Sequence, residues 1–187
     1  HTVTGTITNA TNGNITLVNG RIEAEKDHQE AFINHGTLKL GLDDGEVQVE
    51  NSIALIGNEI GLLNKPNSKF YFYDGYIEGI SGLIGGYTDK AKGYYVFVGH
   101  NGERNCQRVY LTKNPNRAVV KTLTAGEMYY YNLEDAIKSI EFNKKTVPTL
   151  TDNDYIAYVI RDFEAAYELD VANDSRIFID LDGNSVS

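Results

Sequence analysis

The stretch Phe32-Ile33-Asn34-His35-Gly36-Thr37-Leu38-Lys39-Leu40 decides how this chain is read, because two other stretches repeat its pattern. One runs from Ile7 to Glu23 and holds Ile15-Thr16-Leu17. The other runs from Leu63 to Glu78 and holds Phe70-Tyr71-Phe72. Each has a turn containing Asn, then an apolar–x–apolar pair, then a turn ending in Gly (Gly20, Gly45, Gly75), then a further apolar residue and a Glu. In an extended strand the two apolar residues of each pair share a face. One short strand cannot bury that face alone, but stacking successive units in parallel lays Ile15, Leu38 and Phe70 over one another and closes a core. The three glycines stand where the backbone must turn sharply, at positive φ. The spacing is uneven, 23 and then 32 residues from Ile15 to Leu38 to Phe70. Asn19-Gly20 and Asp44-Gly45 are also hairpin signals, so an antiparallel meander or sandwich is the alternative.

Working outward, residues 79–93 are glycine-rich and connect the units to a different pattern. Residues 94–99 and 106–112 read as two strands joined around Asn101-Gly102, and 118–122 with 127–131 as a second hairpin across Ala125-Gly126. Asn132 is an N-cap candidate with Asp135 able to bond back to it, and Leu133, Ala136, Ile137 and Ile140 give a helical face ending near Asn143. A strand is expected over 154–162, a short helix over 163–171 and a last strand over 176–183. The expected fold is therefore mainly β with one or two helices: short right-handed parallel β-helix rungs plus a small α+β part. Residues 1–92 would hold three repeat units. Residues 93–187 would hold the hairpins, a capping helix and the C-terminal strands, packed with the first part as one domain.

Composition agrees with strands: 18 Gly, 13 Tyr and only 3 Pro, with hydrophobic content of 41% sufficient for a core. A net charge of −9 repels phosphate backbones and anionic membranes, which disfavours nucleic-acid and membrane-surface partners. No apolar stretch approaches a membrane span. The single cysteine, Cys106, excludes an internal disulfide and is expected to be a buried, inert thiol. His1 at the start, with no apolar leader, reads as a cut site or tag remnant of a longer chain.

Tyr131-Asn-Leu-Glu-Asp-Ala-Ile137, Ala157-Tyr-Val-Ile-Arg-Asp162 and Ile177-Phe-Ile-Asp-Leu-Asp-Gly183, taken with Gly36-Thr-Leu38-Lys-Leu40, resemble the right-handed β-helix (pectate-lyase-like) tandem-repeat modules of Firmicute cell-surface, adhesin-like proteins. The resemblance implies a non-catalytic extracellular module of a Gram-positive surface or secreted protein. Its implied partners are a host glycoprotein or immunoglobulin, or a glycan, and neighbouring modules of the same chain. A structural spacer and a carbohydrate-active β-helix enzyme are the alternatives. In such arrays the Asp-Leu-Asn-Gly-like strand precedes the rungs, whereas here Asp180-Leu-Asp-Gly183 is C-terminal. A permuted order is therefore expected, with Ile177–Leu181 stacked beside Ile15–Leu17 and the termini close.

The residues themselves carry little chemistry. None of the four histidines has metal-ligand spacing to another His or Cys. There is no Gly-x-Ser-x-Gly, P-loop or dinucleotide fingerprint. No catalytic residue and no cofactor is expected. Asp180 and Asp182 are Ca²⁺ candidates, as are Asp152 and Asp154, but neither pair completes an EF-hand. Tyrosine is the distinctive resource. With Phe70 and Phe72 facing in, Tyr71 and Tyr73 should face out, with Tyr76 and Tyr87 nearby, either as a ligand-binding surface or as an aromatic ladder that only stabilises the stack or is buried under the second half. Tyr129-Tyr130-Tyr131 alternates in the same way.

Overall fold

A computed structural model describes residues 1–50, 52–124, 126–147, 151, 155–165, 171 and 176–187. Among the described residues the chain is mainly β, with 44% strand against 9% helix, and none of the sheets closes on itself. Residues 2–90 form four successive units of three short strands. The first holds β1 (Thr2–Thr4), β2 (Ile7–Asn9) and β3 (Asn14–Leu17). The second holds β4 (Gly20–Glu23), β5 (Glu30–Asn34) and β6 (Thr37–Leu40). The third holds β7 (Ile53–Ile56), β8 (Ile60–Asn64) and β9 (Lys69–Phe72), and the fourth β10 (Tyr76–Gly79), β11 (Ser81–Ile84) and β12 (Asp89–Lys90). Like strands of successive units pair in parallel, giving the sheets β11-β8-β5-β2 and β12-β9-β6-β3 and one wing of a third.

The register is the one the apolar pairs require. Ile15 pairs with Leu38 and Leu38 with Phe70; Leu17 pairs with Leu40 and Leu40 with Phe72. Leu38, Leu40, Phe70 and Phe72 are fully buried, while Ile15 and Leu17, at the end of the stack, stay half-exposed. Gly20, Gly45 and Gly75 all have positive φ (110°, 83° and 77°). In the first three units an Asn closes the middle strand and turns inward. Asn9 Nδ2 donates to Asn34 Oδ1 and Asn34 Nδ2 to Asn64 Oδ1, both at 2.8 Å, so a polar ladder runs along the stack inside the apolar core.

The remaining strands are β13 (Tyr95–Asn101), β14 (Cys106–Thr112), β15 (Val120–Thr122), β16 (Met128–Tyr130), β17 (Ile156–Val159) and β18 (Phe178–Asp180), with α1 (Leu133–Thr146) between β16 and β17. Both expected hairpins form, β13 with β14 and β15 with β16. They extend the first strand of each unit into a ten-stranded sheet, β1-β4-β7-β10-β14-β13-β16-β15-β17-β18. This sheet draws on residues from both 1–92 and 93–187, and one apolar cluster runs from Ile22 to Val159 beneath it.

Asn132 caps α1 as expected. Its Oδ1 accepts from Asp135 N at 2.7 Å, and its Nδ2 donates back to the Asp135 carboxylate at 3.0 Å. The helix runs past Asn143 to Thr146, and the Asn143 side chain donates to Ser139 O one turn back at 2.8 Å. Leu133, Ala136, Ile137 and Ile140 join the main core. On its other side α1 closes the fourth unit: Asn143 Oδ1 accepts the Gly85 N–H at 2.9 Å, and Phe142 and Val147 pack on Leu63 and Ile84.

Two expectations are corrected. The C-terminal strand does not lie beside Ile15–Leu17. β18 pairs with β17 at one edge of the ten-stranded sheet and β1 forms the other edge, so the two end strands lie far apart. Phe163 does not start a helix; it bridges Val186 in parallel. Glu164, Ala165 and Val171 are not helical either, while residues 166–170 of that expected helix and the Asp152 and Asp154 candidates lie outside the described residues.

Candidate functional site

Strand alternation sorts the ten-stranded sheet into a core face and an outer face. Ile77, Val109, Val98, Tyr130 and Val159 belong to the core. Their neighbours along each strand point the other way, and the register joins them into one row. Tyr76 pairs with Tyr110, Tyr110 with Phe97, Phe97 with Tyr129, Tyr129 with Lys121, and Lys121 with Tyr158. Four tyrosines and a phenylalanine thus occupy one transverse line on the outer face. Phe97 is the buried floor, 5.6 Å from Tyr110 and 4.5 Å from Tyr131 between ring centroids. Tyr95 meets Tyr129 edge-to-face at 5.4 Å. Gly99 keeps the floor open: a Cβ there would sit 3.3 Å from the Tyr110 and Tyr131 rings. Tyr76, Tyr110, Tyr129 and Tyr158 are half-buried, and Tyr95 and Tyr131 are exposed.

Burial, followed by neighbouring Glu127, pushes the Tyr129 phenol up to about 12. Burial raises Tyr76 and Tyr110 as well, joined by the Glu78 charge in the first case and by Tyr131 in the second. These phenols stay protonated at neutral pH, so each presents a flat ring with a hydrogen-bonding tip.

The row is anchored at Tyr76 by a charge cluster. The Arg108 guanidinium lies 4.2 Å from the Tyr76 ring centroid. Its Nε donates to Glu78 Oε1 at 2.6 Å and its Nη1 to Glu50 at 2.7 Å. Glu78 is only 1% exposed and also takes Asn101 Nδ2 at 2.8 Å and Arg104 Nε at 3.6 Å. Arg104 reaches on to Glu23, which Arg21 also holds at 3.0 Å. Bonding to Arg21 first, and then to Arg104, holds the Glu23 carboxyl below its usual range despite some burial. Three arginines balance three carboxylates here, so the cluster fixes side-chain positions and offers no net charge to a ligand. A surface cleft of about 280 Å³ opens at this end of the row, lined by His1, Arg21, Glu50, Ser52, Ala54 and Tyr76.

The tyrosines singled out from the sequence do not come together. Of Tyr71, Tyr73, Tyr76 and Tyr87, Tyr76 alone belongs to the row, where Tyr129 of the alternating Tyr129–Tyr131 stretch joins it. Tyr71 is half-buried in the β12-β9-β6-β3 sheet, below Lys39, with the Lys39 Nζ 5.8 Å from its ring centroid. Tyr73 does not face out: it is 8% exposed, its ring 6.2 Å from that of Tyr71, and burial followed by Asp43 raises its phenol. Tyr87 is a tether; its hydroxyl donates to Glu127 O at 3.0 Å and its ring packs against Gly126. Asp180 and Asp182 form an exposed turn in which Asp182 N donates to Asp180 Oδ1 at 3.0 Å. Among the described residues no group of three or more His, Cys, Asp or Glu side chains could hold a metal ion. Cys106 is buried, and burial together with Glu78 raises its thiol. No helix among the described residues is long and apolar enough to cross a membrane.

The sequence reading missed Tyr110, Phe97 and Tyr158. The signal was alternation within β13, β14 and β17, where aromatic residues fall opposite the core positions. No family model, curated protein or solved structure matches the chain.

Proposed function

We propose that the chain is a non-catalytic binding module of a bacterial surface or secreted protein, in which a short parallel β-solenoid presents the Tyr76–Tyr158 row to a host protein. The row is the observation that carries this reading. From β10 to β17 it crosses five strand spacings, about 24 Å at the usual separation of neighbouring strands. That length suits a standard interface patch of about 800 Å² per partner. Tyr and Arg are the side chains that most often dominate such patches, and here Arg108 and its carboxylates fix Tyr76 in place before any partner arrives. Four parallel units in register and the inward Asn ladder support the solenoid. The extracellular setting, and immunoglobulins or other glycoproteins as partners, rest on the resemblance of Asn132-Leu-Glu-Asp-Ala-Ile137 and Gly36-Thr-Leu38-Lys-Leu40 to surface-protein modules.

The test immobilises the chain and a Tyr76→Ser/Tyr129→Ser/Tyr158→Ser variant, exposes both to serum and mucus, and probes a glycan array in parallel. A discrete protein retained by the native chain and lost from the variant is the expected outcome. Equal retention by both removes the row from the binding site, and retention of glycans alone replaces the protein partner with a carbohydrate.

A further inference from the structure

The two ends of the stack of three-strand units differ. The fourth unit is closed by α1, with Asn143 taking the Gly85 N–H. At that end the Asn ladder also finishes on protein, because Asn64 Nδ2 donates to Gly86 O at 3.2 Å. The first unit has no such cover among the described residues. β1, β2 and β3 are the edges of their three sheets. Ile7, Ile15 and Leu17 are half-exposed there and Val3 is 51% exposed. The ladder is directional: Asn34 Oδ1 and Asn64 Oδ1 each accept from the Asn before, but Asn9 Oδ1 receives no hydrogen bond among the described residues. A stack built this way has room for one more unit at its head.

The C-terminal strands have the form of such a unit. β17 and β18 pair in parallel, and the segments that follow them pair in parallel again through Phe163 and Val186. Phe163 N donates to Ser185 O, and Ser187 N to Phe163 O. The strand followed by a second parallel leg is the pattern of β1 followed by β2. Strand sense also matches. Parallel pairing joins β1, β4, β7 and β10; two antiparallel steps through β14 restore that direction in β13 and β16, and two more through β15 restore it in β17 and β18. The core row of Val159 runs through Tyr130, Val109 and Leu55 to Val3. One residue beyond β18, Leu181 is level with Val159 and 44% exposed, beside Phe178 and Ile179 at 39% and 43%.

We propose that the chain self-associates head to tail, with β18 of one copy lying parallel to β1 of the next, Leu181 beside Val3 and the Val186 leg beside Ile7. The second copy supplies what the head lacks: a partner of the same strand sense for β1, and apolar side chains in the row that ends on Val3. The contact joins unlike surfaces, so it leaves a free head and a free tail and grows as an open rod, not a closed dimer.

Sedimentation velocity and small-angle scattering of the whole chain, from about 1 µM to about 1 mM, cover the affinity range of such a small contact. The weight-average sedimentation coefficient is expected to rise reversibly with concentration while the particles lengthen at constant cross-section. Val3→Lys and Leu181→Glu, both at exposed positions, each abolish the rise. A 1:1 mixture of the two restores dimers, because the intact tail of one still fits the intact head of the other. Thr4→Pro is a third variant. His1 O and Gly5 N bond β4, so the odd residues of β1 face inward and the Thr4 N–H faces the free edge. Proline there removes a junction donor and leaves the fold's own ladder whole. A chain monomeric throughout the range overturns the proposal, as does association that survives Leu181→Glu, which would make the contact head to head.

Discussion

Replacing Asn34 by Ala tests the inner ladder at its centre. Asn34 is fully buried. Its Nδ2 donates to Asn64 Oδ1 at 2.8 Å and to Lys69 O at 2.9 Å, and its Oδ1 accepts from Asn9 Nδ2 at 2.8 Å and from Gly36 N at 3.2 Å. Alanine removes all four bonds. At roughly 0.5–1.5 kcal/mol net for each, the loss lies between about 2 and 6 kcal/mol. Asn9 Nδ2 keeps Gly13 O and Thr37 O, and Asn64 Oδ1 keeps the Ser68 hydroxyl, which places the value in the lower half, near 3 kcal/mol by the same per-bond figure, roughly. For a chain of this length that lowers Tm by about 6–12 °C. Asn9→Ala, at a residue itself 2% exposed, removes three donor bonds against the four bonds at Asn34 and costs about 2 kcal/mol by the same per-bond figure. Thermal and urea unfolding followed by circular dichroism measure both. An Asn34→Ala variant no less stable than Asn9→Ala would refute a ladder buried along the stack.

Gly36→Ala brings a Cβ within 2.3 Å of Gly13 O and 2.4 Å of Ala10 O, backbone atoms of the preceding unit, so overpacking is expected to cost about 1–3 kcal/mol. Gly102→Ala meets nothing within 4 Å and should stay within about 0.5 kcal/mol of the native chain, as urea titrations of the pair would reveal. Tyr73, Tyr76, Tyr87, Tyr110, Tyr129 and Tyr130 all have raised phenols, so absorbance at 295 nm should show a late-titrating class. The folded state favours their protonated form, so that stability is whole below pH 10. It is lost as pH rises through about 12, the value for Tyr87 and Tyr129, with burial the main cause at both. A single tyrosinate transition at the ordinary position, with the far-ultraviolet spectrum intact, would contradict the burial of these rings. At the acid end Glu23 acts in the opposite sense: held low by Arg21, it contributes above the usual carboxylate range, and that contribution disappears as pH falls through its lowered value.

Alternation made the third strand of the first three units legible. Ile15/Leu17, Leu38/Leu40 and Phe70/Phe72 are each half of a pattern whose other half is polar, and Asn132 with Asp135 announces α1 by local chemistry alone. The middle strands carry no such mark. Ile60–Asn64 and Ser81–Ile84 are buried on both faces, so neither shows the polar alternation of a half-buried strand, and Ser81–Ile84 read as part of a connection. For the same reason the Asn of the first three units read as a turn residue when it closes the middle strand. Tyr73 was misplaced because parity was carried past the end of β9: the chain turns at Asp74-Gly75, and the ring swings inward. The ten-stranded sheet was out of reach of local pattern, since the pairing of Tyr76 with Tyr110 and of Phe97 with Tyr129 is set by tertiary packing. Each outward aromatic was visible within its own strand, but the row they make exists only in the register.

The most direct measurement of the row as the working surface is site-specific photo-cross-linking. A benzoylphenylalanine at position 129 lies in the middle of the row, and one at position 39 points outward from β6 on a different sheet. After irradiation in serum and mucus, the account predicts a covalent adduct to one discrete host protein from position 129 and none from position 39. Adducts of equal yield at both positions, or at position 39 alone, would contradict it.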